Sequence, residues 1–168
     1  MNKTSTDRTV ELKVADEVWI ATALLHREQP DRADFTIGEI LARAQNEAAQ
    51  RELRPGVRVH ASMHCVANRP PNPGKYRMLF ATGKLTRRLF RSGDAFHPER
   101  QAGKIVPRTE EIPSEYQDLI HWYEEEYVRR NPMGADRDPL LALRGSGREL
   151  WADEHADEYV RRLREGWE

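Results

Sequence analysis

Cysteine is almost absent from this sequence. Cys65 is the only cysteine among the 168 residues, which excludes an intramolecular disulfide and a multi-cysteine zinc site. Long apolar runs are absent too, since no stretch approaches the roughly 18 apolar residues of a membrane-spanning helix. Residues 1–14 lack the apolar segment of a secretory signal. These absences predict a soluble, cytoplasmic protein without a membrane partner.

Apolar residues are also few overall. They make up 38% of the sequence against 33% charged residues, and the mean hydropathy is −0.84. This composition fills one modest core in a chain of single-domain length. We therefore expect one domain, residues 14–130, preceded by an N-terminal arm, residues 1–13. Beyond the domain we expect a linker, residues 131–139, with two prolines and a glycine, and then a tail, residues 140–168.

Acidic residues are missing from one long segment of the domain. Residues 53–93 contain none, whereas residues 109–126 contain seven and no lysine or arginine. Clustered positive charge attracts polyanions through counterion release. This polarity indicates a nucleic-acid partner although the formal net charge is only −1. The alternative is that the acidic segment packs against the basic one and neutralises it inside the fold.

Periodicity and capping motifs predict the first two helices. Apolar residues at helical spacing favour a helix over residues 14–27. Thr36 and Glu39 have the spacing of a capping box, which starts a second helix that runs to about Gln50.

A third, shorter helix is predicted over residues 57–68. Val59, Met63 and Val66 recur on one side of it, and we expect that side to be buried. The opposite side is small and polar and is expected to face solvent. It carries Arg58, Ala61, His64, Cys65, Asn68 and Arg69.

A β-hairpin is predicted after the third helix. Residues 76–82 and 85–91 are two runs rich in aromatic and aliphatic side chains. Gly83 and Lys84 between them fit a two-residue type II′ turn, which favours glycine at its first central position. We expect the two runs to pair as antiparallel strands.

The rest of the domain shows one further helix. Residues 94–112 have no period and are expected to form a loop, with a short extended piece at residues 104–106. Ser114 and Gln117 have capping-box spacing and start a fourth, acidic helix that ends near Arg130.

Three helices followed by a β-hairpin, over residues 14–91, resemble the winged helix-turn-helix class of DNA-binding domains. The expected fold class is α+β: a winged-helix core, a fourth acidic helix and a C-terminal helical tail. In that class the third helix enters the major groove and the hairpin wing lies along the backbone or minor groove. The resemblance implies duplex DNA as a partner. The candidate DNA-binding residues are Arg54, Arg58, His64, Asn68, Arg69, Lys75, Arg77, Lys84, Arg87, Arg88 and Arg91.

These candidates have two predicted roles. Asn68 is suited to a bidentate contact with adenine, and the cations of the hairpin are suited to phosphates, which fix position without selecting sequence. Two simpler interpretations stay open. Any exposed helix face is polar, and cations on a hairpin also protect a sheet edge from aggregation.

Catalytic and metal-binding motifs are weak. His60 and His64 share a helix face, but His97 is distant and no glutamate follows His60 to complete a metalloprotease pattern. His121 and Glu124 have the residue types of an acid–base pair. They are expected on the solvated side of the acidic helix, however, which does not favour catalysis. No phosphate loop, nucleophile elbow or paired-carboxylate pattern occurs. We expect a protein that is not an enzyme and that uses no metal or cofactor.

The tail has its own resemblance. Residues 138–168 combine an apolar start, a Gly-Ser-Gly hinge and a final segment rich in aromatic residues and arginine. This segment resembles the toxin-binding end of type II antitoxins that pair with PIN-domain ribonucleases, which implies that it wraps a toxin and inserts an arginine into the acidic metal site. The implied partner-binding residues are Trp151, Tyr159, Arg161, Arg162, Leu163, Arg164 and Trp167. The alternative is an ordinary terminal helix that packs on its own domain.

Together these features predict a winged-helix DNA-binding protein, specifically a transcriptional regulator and an antitoxin that represses its own operon. The prediction allows a homodimer. The competing hypothesis is a protein–protein interaction module or accessory protein that does not bind DNA.

Overall fold

The computed structural model describes residues 11–48 and 52–130. The chain divides into two units, residues 1–130 and residues 131–168, and all of the second unit lies outside the described residues. The helices are α1 (Val14–Glu28), α2 (Ile37–Glu47), α3 (Pro55–Val59) with a π-helical turn (His60–His64), and α4 (Gln117–Trp122) with a π-helical turn (Tyr123–Tyr127) and α5 (Val128–Arg130). The strands are β1 (Phe35–Thr36), β2 (Leu79–Ala81) and β3 (Thr86–Leu89). Short 3-10 turns lie at Pro98–Arg100, Thr109–Glu111 and Ser114–Tyr116.

Helix α1 is the centre of the core. Every residue from Ala15 to His26 is buried, and Trp19 packs edge-on against Tyr123 with ring centroids 5.8 Å apart. Helices α2, α3 and α4 all contact it. The predicted helix over residues 14–27 is confirmed and is one residue longer.

The capping box that starts α2 is confirmed. The Thr36 hydroxyl accepts a hydrogen bond from Glu39 N (3.2 Å), and the Glu39 carboxylate accepts one from Thr36 N (2.8 Å). Two orphan amides of the first turn are satisfied in this way. The helix ends at Glu47, three residues before the predicted end, and residues 49–51 lie outside the described ranges.

The third helix is rotated relative to the prediction. Val57, Ala61 and Cys65 are fully buried, whereas Val59 is 40% exposed. The expected orientation, with Val59 and Met63 inside and Ala61 and Cys65 outside, is therefore wrong. Both sets of residues fit helical spacing, and the set Val57, Ala61 and Cys65 is the one that packs in the core against α1 and α2. A methyl group at Gly56 would be in ordinary van der Waals contact with the side chain of Val14, at 3.5 Å.

The third helix is also shorter than predicted. Its helical backbone ends at His64, not at Asn68. Val66, expected on the buried side of that helix, is buried instead in a bridge to Leu79 of β2.

The hairpin forms with a longer turn than predicted. Thr82 N donates to Thr86 O (3.3 Å), so residues 83–85 make a three-residue loop. Gly93 is the one glycine with positive φ (96°) in the described ranges. Gly83 therefore lacks the conformation that a type II′ turn requires, and that turn prediction is wrong.

A strand that the sequence analysis did not predict completes the sheet. Strand β1 lies between α1 and α2 and pairs antiparallel with β3, with Thr36 opposite Thr86. The sheet order is β1-β3-β2. Two residues are too short to show alternation. The architecture is α+β, with a small antiparallel sheet against helices.

The fourth helix is hydrogen-bonded to the end of β3. The Tyr123 hydroxyl donates to Phe90 O, and the Tyr127 hydroxyl donates to Leu89 O at 3.2 Å. Between β3 and this helix, residues 104–106 form no strand, although Lys104 O accepts a hydrogen bond from Arg77 N at 2.9 Å. None of the helices in residues 11–48 and 52–130 is both long and apolar enough to span a membrane.

Candidate nucleic-acid interface

Arg87 joins the hairpin loop to the third helix. Its Nε donates to Ala61 O and its Nη2 to Ser62 O, each at 3.2 Å, while its Nη1 donates to Gly83 O at 3.1 Å and Thr86 O at 2.7 Å. The side chain is fully buried. One guanidinium therefore holds the loop beside the last helical turn.

The start of α2 meets the same loop. Ile37 N donates to Leu85 O (2.9 Å), and the Thr82 hydroxyl donates to the carboxylate of Asp34 just before β1. Three pieces of backbone, from α2, the third helix and the hairpin loop, thus converge. We use the name loop–helix surface for the solvent-facing side chains of the third helix and of the hairpin loop, the two elements that Arg87 connects. They are Arg58, Val59, Ser62, Lys84 and Leu85.

The predicted DNA-binding cations differ widely in exposure. Exposed side chains are free to meet a phosphate, whereas buried ones are not. Arg58, Lys75 and Lys84 are exposed; Arg54, Arg69, Arg77 and Arg91 are half-buried; Arg87 and Arg88 are buried. Of the half-buried group, Arg69 stays close to the loop–helix surface, because its Nη2 donates to Lys84 O at 3.4 Å.

The placement of Arg87 and Arg88 corrects the sequence interpretation, which expected both on an exposed wing. Arg88 forms two hydrogen bonds to Asp94, at 2.6 and 2.7 Å, and its guanidinium lies 4.4 Å from the centroid of the Phe80 ring. Asp94 follows immediately after the acid-free segment. Burial lowers the pKa of Arg87 to about 10, so it stays cationic at neutral pH. In this structure neither guanidinium is available to a phosphate.

Asn68 is likewise occupied. Its Nδ2 donates to Ala81 O (3.0 Å), and its Oδ1 accepts from Ala81 N (2.9 Å). The side-chain amide of Asn68 thus makes the pair of hydrogen bonds with the backbone of Ala81 that an adjacent strand would make with β2. The expectation that Asn68 faces a groove from the third helix is wrong, because the helix ends before it and its donor and acceptor already have partners.

His64 faces a loop of its own domain. Its ring lies 4.7 Å from that of His60, and a methyl group at Gly74 would lie 2.7 Å from its Cβ. Desolvation and the neighbouring His60 lower the pKa of His64. The predicted outward orientation of His64 is therefore wrong, and the ring packs against the loop that precedes β2.

Three other candidate cations have partners within the domain. Pairing with a carboxylate or an aromatic ring leaves a cation less free to reach another molecule. The pairs are Arg54 with Glu17 (Nε–Oε2 3.0 Å), Arg77 with Phe96 (4.4 Å to the ring centroid) and Arg91 with Tyr127 (5.2 Å).

Arg100 is a buried cation that the sequence analysis did not single out. It lies in the segment predicted as a loop, is fully buried, and donates to five backbone carbonyls. The acceptors are His64 O, Arg69 O and Tyr76 O at 2.7 Å, Met63 O at 2.9 Å and Pro70 O at 3.2 Å. Sequence carries no signal for such a role, because the partners are backbone atoms 24 to 37 residues away.

Arg87 and Arg100 together complete the end of the third helix. The last carbonyls of a helix lack partners within the helix and carry partial negative charge. Here Arg87 binds the carbonyls of Ala61 and Ser62, and Arg100 binds those of Met63 and His64. The helix end is thereby fixed both to the hairpin and to the loop at Arg100.

The acidic segment does not neutralise this surface. Within residues 11–48 and 52–130, no ion pair connects residues 109–126 to residues 53–93. The acidic side chains pair elsewhere: Asp118 with Arg27, Glu111 with Lys13 and Lys104, Glu125 with Arg129, and Glu126 with Arg130. In the described part of the chain the fourth helix does contact the end of the basic segment, through Tyr123 and Tyr127, but it does not neutralise that segment through ion pairs.

The histidine and cysteine side chains do not form a metal centre in the described ranges, where no group of three or more His, Cys, Asp or Glu side chains is arranged to hold a metal ion. Cys65 is completely buried, and burial raises the pKa of its thiol. His97 Nδ1 accepts a hydrogen bond from Glu99 N at 3.4 Å.

Comparison with known proteins assigns no family to this chain. No family model matches the sequence, and neither the curated proteins nor the solved structures include a significant match. The tail lies outside the described residues, and with it the predicted partner-binding residues Trp151, Tyr159, Arg161, Arg162, Leu163, Arg164 and Trp167.

Proposed function

We propose that this chain binds duplex DNA as a winged-helix protein, with the third helix in the major groove and the hairpin loop on the adjacent backbone. The observation that carries this proposal is the buried Arg87, which holds the loop beside the helix end. Recognition by helix and loop together requires a fixed relation between them. A guanidinium shared by both elements provides it.

Electrostatics supports the same surface. Arg58 and Lys84 are exposed on it, Arg69 lies beside it, and no acidic residue occurs in residues 53–93. With two or three phosphate contacts, at about 0.9 each, we expect the logarithm of affinity to fall with the logarithm of salt at a slope of about −2 to −3. A slope this shallow indicates modest affinity for each copy of the chain.

The biological role that we propose is transcriptional regulation without enzymatic activity. The antitoxin hypothesis rests on the resemblance of the tail alone and stays a prediction, as do the cytoplasmic location and a homodimer. DNA binding by the domain is independent of these hypotheses and is the part to test first.

The test is fluorescence anisotropy with the full chain and a labelled 30-bp duplex over a salt series. The double variant Arg58→Ala/Lys84→Ala is expected to lose about 1.8 from the salt slope, since two phosphate contacts are removed. The matched control is Arg129→Ala/Arg130→Ala, which removes two exposed arginines of α5 and should leave the slope unchanged. Equal effects of the two variants would remove the loop–helix surface from the proposal, and no binding by the wild-type chain would refute DNA binding itself.

A further inference from the structure

Exposed apolar side chains are concentrated on the loop–helix surface. Among residues 11–48 and 52–130, the exposed large hydrophobic residues are Val59, at 40%, and Leu85, at 62%. Single exposed apolar residues need no explanation when scattered. Here one belongs to the third helix and the other to the hairpin loop, the two elements that Arg87 holds together, so a common role is the simpler account.

Val59 faces away from the core. At about 100° per residue, it lies about 180° from the middle of the angle between the buried residues Val57 and Ala61, and it is 40% exposed. Its chain neighbour Arg58 is exposed as well. The hydroxyl of the neighbouring Ser62 already donates to Arg58 O and therefore has no proton left to donate to a base.

The backbone under both apolar side chains is fixed. Leu85 O accepts from Ile37 N at 2.9 Å, and Arg87 binds the loop on one side and the helix on the other. The two side chains are therefore presented without the ordering cost that a mobile loop carries.

The major groove offers one apolar group at base edges, the methyl group at C5 of thymine, and 5-methylcytosine carries a methyl at the same position. Resting on the DNA binding proposed above, we propose that Val59 contacts 5-methyl groups of pyrimidines in the major groove, with Leu85 extending the apolar surface. Arg58 and Lys84 flank this contact and attract the phosphates. The charge around the apolar pair matches a polyanion better than it matches the apolar face of a second protein.

The experiment compares duplexes that differ only in this methyl group. Anisotropy of the full chain is measured with 24-bp alternating A·T and A·U duplexes, and with alternating G·C duplexes that contain cytosine or 5-methylcytosine. Burial of one methyl group changes affinity about fourfold, from about 0.8 kcal/mol per group. We expect thymine to be bound about fourfold better than uracil, or 5-methylcytosine about fourfold better than cytosine, and the arm that responds identifies the source of the methyl group.

Two variants connect the effect to the residue. Val59→Ser should reduce the affinity ratio between methylated and unmethylated duplexes to about one while the salt slope stays unchanged. Ser62→Ala, on the same face, should retain the ratio. Because Val59 is exposed, its substitution is not expected to impair folding, which thermal melting checks.

The failing outcomes are distinct. If the wild-type chain binds DNA but both ratios are near one, methyl recognition is refuted and DNA binding stands. If the chain binds none of the duplexes, the proposed function itself fails. If sedimentation shows a dimer that Val59→Ser dissociates while the ratios are unaffected, the apolar pair is an interface between two copies, and methyl recognition is again refuted.

Discussion

The Arg100 site provides the sharpest stability prediction of this fold. Its guanidinium is fully buried and donates to five carbonyls, at 2.7 to 3.2 Å, from the end of the third helix and the loop that follows it. Burial lowers the pKa of Arg100. The perturbation is Arg100→Met, which keeps an unbranched side chain and removes every donor.

The magnitude follows from the unsatisfied carbonyls. A buried acceptor without a partner costs about 1–3 kcal/mol, so five carbonyls give a gross loss of roughly 5 to 15 kcal/mol. Two effects reduce this figure: in the variant, water can replace the guanidinium at some of the carbonyls, and the desolvation penalty of the guanidinium, several kcal/mol for a buried ion, is removed. We expect a net loss of about 3–5 kcal/mol, which is a large part of the 5–15 kcal/mol typical of a domain.

The assay is urea unfolding of the full chain, followed by tryptophan fluorescence and circular dichroism. With a slope near 1.5 kcal/mol per molar urea, the midpoint of Arg100→Met should fall by roughly 2–3 M. Arg100→Lys should lie between wild type and Arg100→Met, because an ammonium keeps the charge but has three donors in place of five. The control, Arg108→Met, alters an exposed arginine nearby in sequence and should change stability by less than about 0.5 kcal/mol. A loss below about 1 kcal/mol for Arg100→Met would refute the reasoning.

Three further predictions concern pH, helix capping and domain limits. Burial lowers the pKa of His26 to about 3, so below pH 6.5 the unfolded chain takes up a proton that the folded chain does not. Stability should therefore fall by about 2 kcal/mol between pH 7 and pH 5, and chemical denaturation at each pH should show this loss in wild type but not in His26→Phe. Thr36→Ala should cost about 1 kcal/mol in urea unfolding by removing the capping box of α2, with Thr36→Ser close to wild type; equal losses for both would contradict the capping account. Deletion of residues 131–168 should leave a cooperative thermal transition within a few degrees of the full chain, and a much lower melting temperature would show that the second unit contributes to the core.

Local signals account for what the sequence predicted correctly. The helical period of α1 and the capping box at Thr36 depend on residues within one or two turns, and both are confirmed. The two hairpin strands also form within their predicted runs. The fourth helix forms as well, but a 3-10 turn occupies Ser114–Tyr116 and the predicted Ser114–Gln117 capping box is absent. Local sequence signals therefore predict most of the helices and strands of this domain and their order along the chain.

Non-local packing accounts for the errors. Val57, Ala61 and Cys65 have the same helical spacing as the predicted buried set, and contacts with α1 and α2, which are distant in sequence, decide between the two sets. The exposure of the arginines was harder still to predict, because the charge pattern of a sequence does not distinguish a surface arginine from a buried one whose partners are backbone carbonyls. Arg87 and Arg100 belong to the second kind, and only the folded backbone brings their acceptors together.

The attachment of the third helix has a consequence for which of its side chains can be changed without loss of stability. Arg87 and Arg100 hold this helix through backbone carbonyls of residues 61–64, and a carbonyl is present whatever side chain a residue carries. Substitutions at the outward positions Arg58, Val59 and Ser62 therefore leave the anchoring atoms in place. The face that we propose to contact DNA can therefore be changed without loosening the helix from the domain, so the stability of this helix is separable from the binding proposed for it.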